Sequence, residues 1–356
     1  MNVFIVILGL LNLLVITNIH IKTQISILML YFSLLKKLNF KKIINFIKVY
    51  SGYLFSILLK KGIYFGFPVS ISIEPTNLCN LQCIECVSGL RKLDRKLGKL
   101  SFDLYKKIID ESSEYLIHLL LYFQGEPFVN KDIIKIIEYA HHKNIFTATS
   151  TNGHFLTSEL ARKTVEAGLD KLIVSLDGTN QQVYEKYRVN GNFDTVILGI
   201  NNIVYWKKIL KSKTPEIVLQ FLVMSSNEHQ INEIKVIAKN LKIDRLEFKS
   251  IQINNIENIY LLPAKEKFRR YNLVNNEIKI KTKLNNKCWR LWNSIVITWE
   301  GDVVPCCYDK NAKYTFGNIK ELAIKTIIKN DVAFIFRNKV LKNRKSIDIC
   351  NNCTTK

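Results

Sequence analysis

An α/β fold built on a parallel sheet is what this 356-residue chain predicts, on three observations. Between residues 69 and 251, strand-like runs alternate six times with helical ones, and strands separated by helices pair in parallel with the helices outside. The polar residues with chemical potential fall where strands end, the place at which parallel barrels and wound sheets gather their chemistry. No internal repeat or low-complexity linker interrupts the pattern. Periodicity alone leaves the sheet either rolled or open.

In chain order, VSISIE (69–74) reads as the first strand. Ser101 is placed to cap a helix over 102–116, because its hydroxyl can accept an orphan N–H of the first turn. The buried run IHLLLYFQ (117–124) is the second strand, followed by a helix over 131–143. A strand and turn span 145–153, then a helix over 158–168 that Gly168 ends, as a left-handed residue closes a helix. The fourth strand is KLIVSLDG (171–178), followed by helical QQVYEKYR and FDTVILGINNIVYWKKIL. EIVLQFLVM (216–224) is the fifth strand, NEHQINEIKVIAKNL a helix, and RLEFKSI (245–251) the sixth strand.

The formal net charge of +22 is of the kind that suits nucleic acid or an anionic membrane. Lysine is spread along the whole chain beside Asn and Ile, as in a genome biased toward A and T, and few basic residues alternate with aromatics. No nucleic-acid partner is expected. The eight cysteines fall into two groups about two hundred residues apart, unlike a small disulfide framework. CxxxC and CxxC spacings favour metal thiolates, which need a reducing compartment, so the cysteine-bearing part is expected in the cytoplasm.

Residues 1–68 have a composition of their own and read as a hydrophobic, basic, helical extension. Up to residue 73 there are eight Lys and no Asp or Glu. Residues 1–21 carry no charged side chain and approach the ~20 residues of a spanning helix. If they span, Lys22, Lys36, Lys37, Lys41 and Lys42 place the following chain in the cytoplasm. A helix through KKLNFKKIINFIKVY groups Phe40, Ile43, Ile44, Ile47 and Tyr50 on one face, away from Lys37, Lys41, Lys42 and Lys48, a pattern suited to an anionic bilayer surface. The bland alternative is a helical extension packed on the domain that follows it. Asn12, Asn18 and His20 weaken a spanning helix.

Cys79, Cys83 and Cys86 lie within eight positions after the first strand. Structural zinc needs a fourth ligand, and no His or Cys lies between Cys86 and residue 117. Three thiolates with one open position suit an iron-sulfur cluster whose fourth iron binds a small molecule. CNLQCIEC matches CxxxCxxC and resembles the signature of the radical S-adenosylmethionine (SAM) superfamily. QGEP after the second strand resembles that family's GGEP segment, and STNG and VSLDG resemble segments at its third and fourth strands.

The resemblance implies a partial (β/α)6 TIM-like barrel, with the radical SAM core over 69–285. It implies that Cys79, Cys83 and Cys86 hold a 4Fe-4S cluster whose open iron takes S-adenosyl-L-methionine. Gly125, Glu126 and Pro127 would receive the methionine amino group. Thr151, Ser175 and Asp177 would hold ribose and carboxylate, and Arg188 in YRVNG would supply a cation for the carboxylate. One electron then breaks the carbon-sulfur bond, and a 5'-deoxyadenosyl radical abstracts hydrogen from substrate. The residue before the third cysteine is often aromatic in the family, whereas here it is Glu85, for which no role is assigned.

In the second group, Cys288 is followed by twelve residues, Gly301, four more and Cys306, which reads as strand, tight turn and return strand. Cys350 and Cys353 form a CxxC. This arrangement resembles the SPASM auxiliary-cluster domain in its shortened "twitch" form, here over 286–356. Cys288, Cys306, Cys350 and Cys353 would hold a second 4Fe-4S cluster, tuned by Arg290 and Lys287, with Cys307 a spare thiol packed in the core. A zinc ribbon on the same four thiols is the alternative.

The expected function is a radical SAM oxidoreductase acting on an unidentified small molecule, a sugar-like alcohol being one option, and passing the product electron to the auxiliary cluster. A peptide-modifying maturase and a non-catalytic membrane-associated scaffold are the alternatives. Flavodoxin or ferredoxin would be the electron donor. Tyr122, Gln220 and Lys249 are candidates for the barrel mouth.

Overall fold

The computed structural model describes residues 34–274 and 277–354. The apolar segment 1–21 and Lys22, expected to meet a membrane, lie outside the described residues. After helix α1 (Phe40–Leu59) come six parallel strands: β1 (Ser70–Ile73), β2 (His118–Leu120), β3 (Phe146–Thr151), β4 (Lys171–Ser175), β5 (Glu216–Val223) and β6 (Arg245–Ser250). Each strand pairs with the next. Helices α2 (Phe102–Ser112), α3 (Ile133–His142), α4 (Ser158–Glu166), α5 (Gln181–Tyr184), α6 (Phe193–Ile209) and α7 (Ile231–Asn240) lie between them. β1 and β6 do not pair with each other, so the barrel is partial.

Local chemistry accounts for the element starts. Leu104 N–H donates to Ser101 Oγ at 3.3 Å, capping α2 as expected. Thr157 caps α4 and Asn192 caps α6 in the same way. The core runs between sheet and helices: Ile71, Ile73, Leu119, Leu172 and Leu219 from the strands meet Ile108, Ile136, Ile137, Ile200 and Ile234 from the helices.

The sheet crosses the domain boundary expected at residue 286. After the hairpin β7 (Tyr271–Val274) and β8 (Glu277–Ile280) and the short helix α8 (Arg290–Asn293), strand β9 (Ser294–Ile297) pairs in parallel with β1, Ile295 opposite Ile71. β10 (Asp302–Val304) and β11 (Gly317–Asn318) continue antiparallel. The nine strands run β11-β10-β9-β1-β2-β3-β4-β5-β6. The physical reason is the β1 edge, whose bare N–H and C=O groups need a partner. Gly301 makes the expected tight turn at φ +98°. Helices α9 (Ile324–Ile327) and α10 (Asp331–Asn343) close the chain's C-terminal part.

α1 packs on this C-terminal part through aromatic contacts. Tyr50 and Tyr53 meet Trp289 at ring separations of 5.7 and 5.1 Å, and Tyr53 meets Trp292 at 5.5 Å. Two of the lysines expected on a solvated basic face are instead interior. Lys37 is buried and pairs with Asp170 at 2.7 Å. Lys42 is buried and donates to the carbonyls of Lys37 at 3.1 Å and Asn144 at 2.8 Å. Their hydrogen bonds offset the cost of removing an ammonium from water.

Candidate active site

The cysteine loop leaves the end of β1 and is held from two sides. The segment after α5 supplies carbonyls: Gln82 N–H donates to Val189 O at 3.0 Å and Ile84 N–H to Tyr187 O at 3.4 Å. From β2, Glu126 N–H donates to Leu78 O at 2.8 Å. Gly125 is required there. It sits at φ +75°, and a Cβ would lie 2.5 Å from Thr76 O.

Three donors point at the sulfurs. Leu81 N–H lies 3.4 Å from Cys79 Sγ, Gly89 N–H 3.5 Å from Cys86 Sγ, and Arg188 Nη1 3.8 Å from Cys83 Sγ. Burial pushes the Cys79 thiol up to about 12 and raises Cys83 as well. Metal binding must therefore displace protons here. Among the described residues no three Cys, His, Asp or Glu side chains gather tightly enough for a single metal ion. The fit to an iron-sulfur cluster rests on the donor chemistry, three thiols with N–H groups directed at them.

A cavity of about 240 Å³ opens beside the three thiols, and Gly125, Glu126, Thr151, Ser175 and Arg188 line it. Glu126 is buried and ordered on all sides. Its carboxylate accepts from Thr151 Oγ1 at 2.7 Å, Asn152 N at 2.7 Å and Phe128 N at 3.2 Å. Burial pushes its carboxyl up to about 7, against these three hydrogen bonds that favour the charged form.

Two of the expected residues are outside the cavity. Pro127 does not line it and instead opens a 3-10 turn with Glu126 as its cap. Asp177 is fully buried and spent on protein groups: it accepts from Leu222 N–H and from Arg188 Nε, both at 2.6 Å. It positions Arg188 in this arrangement. Of the barrel-mouth candidates, Tyr122 lines the cavity and Gln220 and Lys249 do not.

Three sets of contacts were not legible in the sequence, the first at Asn152, itself one of the polar residues at the end of the third strand. Asn152 donates its amide to Asn80 at 2.7 Å and lies 3.9 Å from Cys79 Sγ, fixing the cysteine loop to β3. STNG holds this residue, but nothing in the motif says which neighbour it meets. Glu85, left without a role, is buried and accepts from Asn254 N at 2.8 Å and Asn258 Nδ2 at 2.7 Å. It ties the loop to the segment after β6. Glu74 forms a two-pronged pair with Arg95 at 2.7 and 2.9 Å and also accepts from Trp299 N–H at 3.1 Å.

The second cysteine group departs from expectation at two points. Cys288, Cys306, Cys350 and Cys353 lie near enough to act on one another electrostatically. Arg290 acts on Cys288 and Cys306 as expected, but its partner cation is Arg344, not Lys287: Arg344 Nη2 donates to Cys353 Sγ at 3.1 Å, while Lys287 contributes its carbonyl, to Arg344 at 2.7 Å. Cys307 is exposed, not packed in the core, and accepts from Arg290 Nη1 at 2.7 Å. The strand ends at Val304, and Cys306 and Cys307 lie in the turn that follows, closed by Asp309 N–H donating to Cys306 O at 3.1 Å. Lys310 feels both Cys86 and Cys307, whose negative forms raise its basicity against burial that lowers it.

Comparison with known proteins agrees with this geometry. The family model of the radical SAM superfamily matches residues 73–204, and that of the SPASM iron-sulfur cluster-binding domain matches 288–354. The chain is 25% identical over 287 residues to the tungsten-containing aldehyde ferredoxin oxidoreductase cofactor-modifying protein of Pyrococcus furiosus, covering 72% of this chain and 79% of that protein. It is 28% identical over 193 residues to the PqqA peptide cyclase of Bradyrhizobium diazoefficiens, covering 53% of this chain and 48% of that one. Other curated relatives are also matched over less than half of their length. Among solved structures, BtrN in complex with AdoMet and 2-DOIA has a TM-score of 0.51 at 20% identity, covering 82% of this chain and 95% of that one. This likeness supports the fold alone.

Proposed function

Because the chain belongs to the radical SAM superfamily and carries a SPASM iron-sulfur domain, we propose that it is an oxidoreductase that removes a hydrogen atom and then an electron from a small substrate lying between two clusters. The observation that carries this reading is the cavity beside Cys79, Cys83 and Cys86, which Glu126, Thr151, Ser175 and Arg188 line together. When bound, the first 4Fe-4S cluster and S-adenosylmethionine supply the 5'-deoxyadenosyl radical that takes the hydrogen. Cys79, Cys83 and Cys86 would hold that cluster. Glu126, with Gly125 behind it, would receive the amino group of the methionine end, and Thr151 and Asn152 keep its carboxylate in place. Arg188 would meet the methionine carboxylate, steered by Asp177, and Ser175 would contact the ribose. Four thiols at Cys288, Cys306, Cys350 and Cys353 leave no iron open to substrate, which favours electron acceptance over substrate ligation.

A sugar-like alcohol remains the substrate class we favour, and flavodoxin or ferredoxin the donor, in a reducing cytoplasm. A second reading, peptide modification, is favoured by the similarity to the PqqA peptide cyclase. The test is to incubate anaerobically reconstituted enzyme with deuterated extract fractions and follow deuterium into 5'-deoxyadenosine. Transfer from a small-molecule fraction supports the first reading, and transfer only from a peptide fraction supports the second. No substrate-dependent 5'-deoxyadenosine from any fraction counts against both.

A further inference from the structure

The amphipathic helix α1 is mounted with its apolar side outward. Phe40, Ile43, Ile47, Leu54 and Leu58 recur at helical spacing on the solvent side, with Phe40 77% and Leu58 75% exposed. Phe55 and Leu59 are exposed beside them. The side turned to the protein is Lys42, Asn45, Val49, Gly52 and Ser56, flanked by Phe46, Tyr50 and Tyr53 against Trp289. A helix on a globular surface ordinarily does the reverse. An exposed apolar stripe of this extent marks an interaction site.

We propose that α1 is an interfacial helix that lays this stripe into an anionic bilayer surface without crossing it. Three further observations fix the occupant and the mode. The described residues up to Glu74 carry lysines and no acid, and Lys36, Lys48, Lys60 and Lys61 are exposed along and beyond the helix. Lysines there can keep their heads among lipid phosphates while their stems lie against apolar surface.

At the C-terminal end of α1 a cleft of about 430 Å³ is lined by Ile57, Lys60, Asn286, Lys287, Leu341 and Lys342. Three lysines around one cleft form a cradle for a lipid phosphate, contributed jointly by α1 and the C-terminal part of the chain. A second copy of this chain, itself strongly basic at +22, would be repelled by such a rim.

α1 is long and apolar enough to cross a membrane by composition, but its inner face is committed to the domain. Asn45 exchanges two hydrogen bonds with the backbone of Phe67, at 2.8 and 2.7 Å. Trp292 Nε1 donates to Ser56 Oγ at 3.1 Å and to Ile63 O at 2.8 Å. Crossing would break these and leave Lys42 and Asn45 in hydrocarbon.

The test is sedimentation of the full-length, cluster-loaded protein with vesicles of phosphatidylcholine, with or without phosphatidylglycerol. Wild type is expected to bind the phosphatidylglycerol vesicles at least roughly tenfold more tightly than phosphatidylcholine alone. Replacing Phe40, Ile47 and Leu58 together by Glu should weaken binding by at least roughly tenfold, with iron content unchanged. Replacing Lys60, Lys287 and Lys342 by Gln should remove most of the phosphatidylglycerol preference. Near-ultraviolet circular dichroism of the Trp289–Trp292 cluster should not change when vesicles are added.

If the triple Glu variant binds as wild type does, anchoring lies elsewhere, for example in residues 1–33, and the proposal fails. It also fails if light scattering finds a dimer that this variant splits, because a second copy then covers the stripe. A lost tryptophan signal on vesicle addition would overturn the surface mode, since α1 would have left the domain to insert.

Discussion

Thr151 at the end of β3 donates its hydroxyl to Glu126 after β2 at 2.7 Å. That bond fixes a buried carboxylate at the edge of the cavity beside Cys79, Cys83 and Cys86. The backbone of Asn152 takes its second oxygen at 2.7 Å. Two strand ends thus hold one acid in one orientation before any ligand arrives, which lowers the cost of ordering it on binding.

The charge on that acid should govern cofactor binding. Burial places the Glu126 carboxyl at about 7, so it is largely neutral below that pH and charged above it. S-adenosylmethionine affinity, read by calorimetry on the reconstituted protein, should rise with pH between 6 and 8 by about tenfold per unit below the midpoint. The same group works against folding. Its folded pKa lies above the unfolded value of about 4.3, so its contribution to stability falls as pH rises from there through about 7. Glu126→Gln should abolish both slopes while leaving iron content unchanged. An affinity slope that persists in Glu126→Gln would assign the titration to another group.

Arg188 and Asp177 form a pair that should respond unequally to substitution. Asp177 is fully buried and bonded to Arg188 at 2.6 Å. Removing one partner of a buried ion pair costs about 3–5 kcal/mol. Asp177→Ala should therefore lower denaturant stability by that amount and also weaken cofactor binding, because Arg188 loses its orientation. Asp177→Asn keeps the bond to Leu222 N–H and should recover part of the stability but less of the binding. Equal recovery of both would mean that Asp177 serves structure alone.

The fold was legible in the sequence because its signals are local. Six strands, the cap at Ser101 and the tight turn at Gly301 follow from periodicity and turn chemistry. What was hidden depends on partners far away in the chain. Glu85 looked like a departure from an aromatic position, and its role appears only when Asn254 and Asn258 are folded beside it. Lys37 and Lys42 read as solvated charges until Asp170 and the Asn144 carbonyl were placed against them. The site itself was largely legible, since Cys79, Glu126, Thr151, Ser175 and Arg188 share one cavity. The contact of Asp177 with Arg188 was not legible, because the motif gives its position on β4's exit and not the direction of its side chain.

Glu85 supplies a further expectation. Hydrogen bonds to a charged group are worth about 1.5–3 kcal/mol each, and Glu85 makes them to Asn254 and Asn258 across the cysteine loop. Glu85→Ala should speed the loss of iron from the first cluster on chelator challenge and leave the auxiliary cluster's iron untouched. Uniform loss from both clusters would count against a local clamp.

The auxiliary site gives the most direct accounting. Two four-iron clusters correspond to about eight irons per chain, and the quadruple Ala variant at Cys288, Cys306, Cys350 and Cys353 should hold about four. It should still cleave S-adenosylmethionine slowly and fail to release oxidised product. Cys307→Ala should keep the full iron content, because Cys307 is exposed and turned toward Arg290. Arg344→Gln should keep the iron too but lower the potential of the auxiliary cluster alone, since the positive charge at 3.1 Å from Cys353 Sγ favours the reduced, more negative state. A potential shift in the first cluster instead would misplace Arg344. Zinc on these four thiols in protein purified without oxygen would end the electron-acceptor role and leave the radical core as it stands.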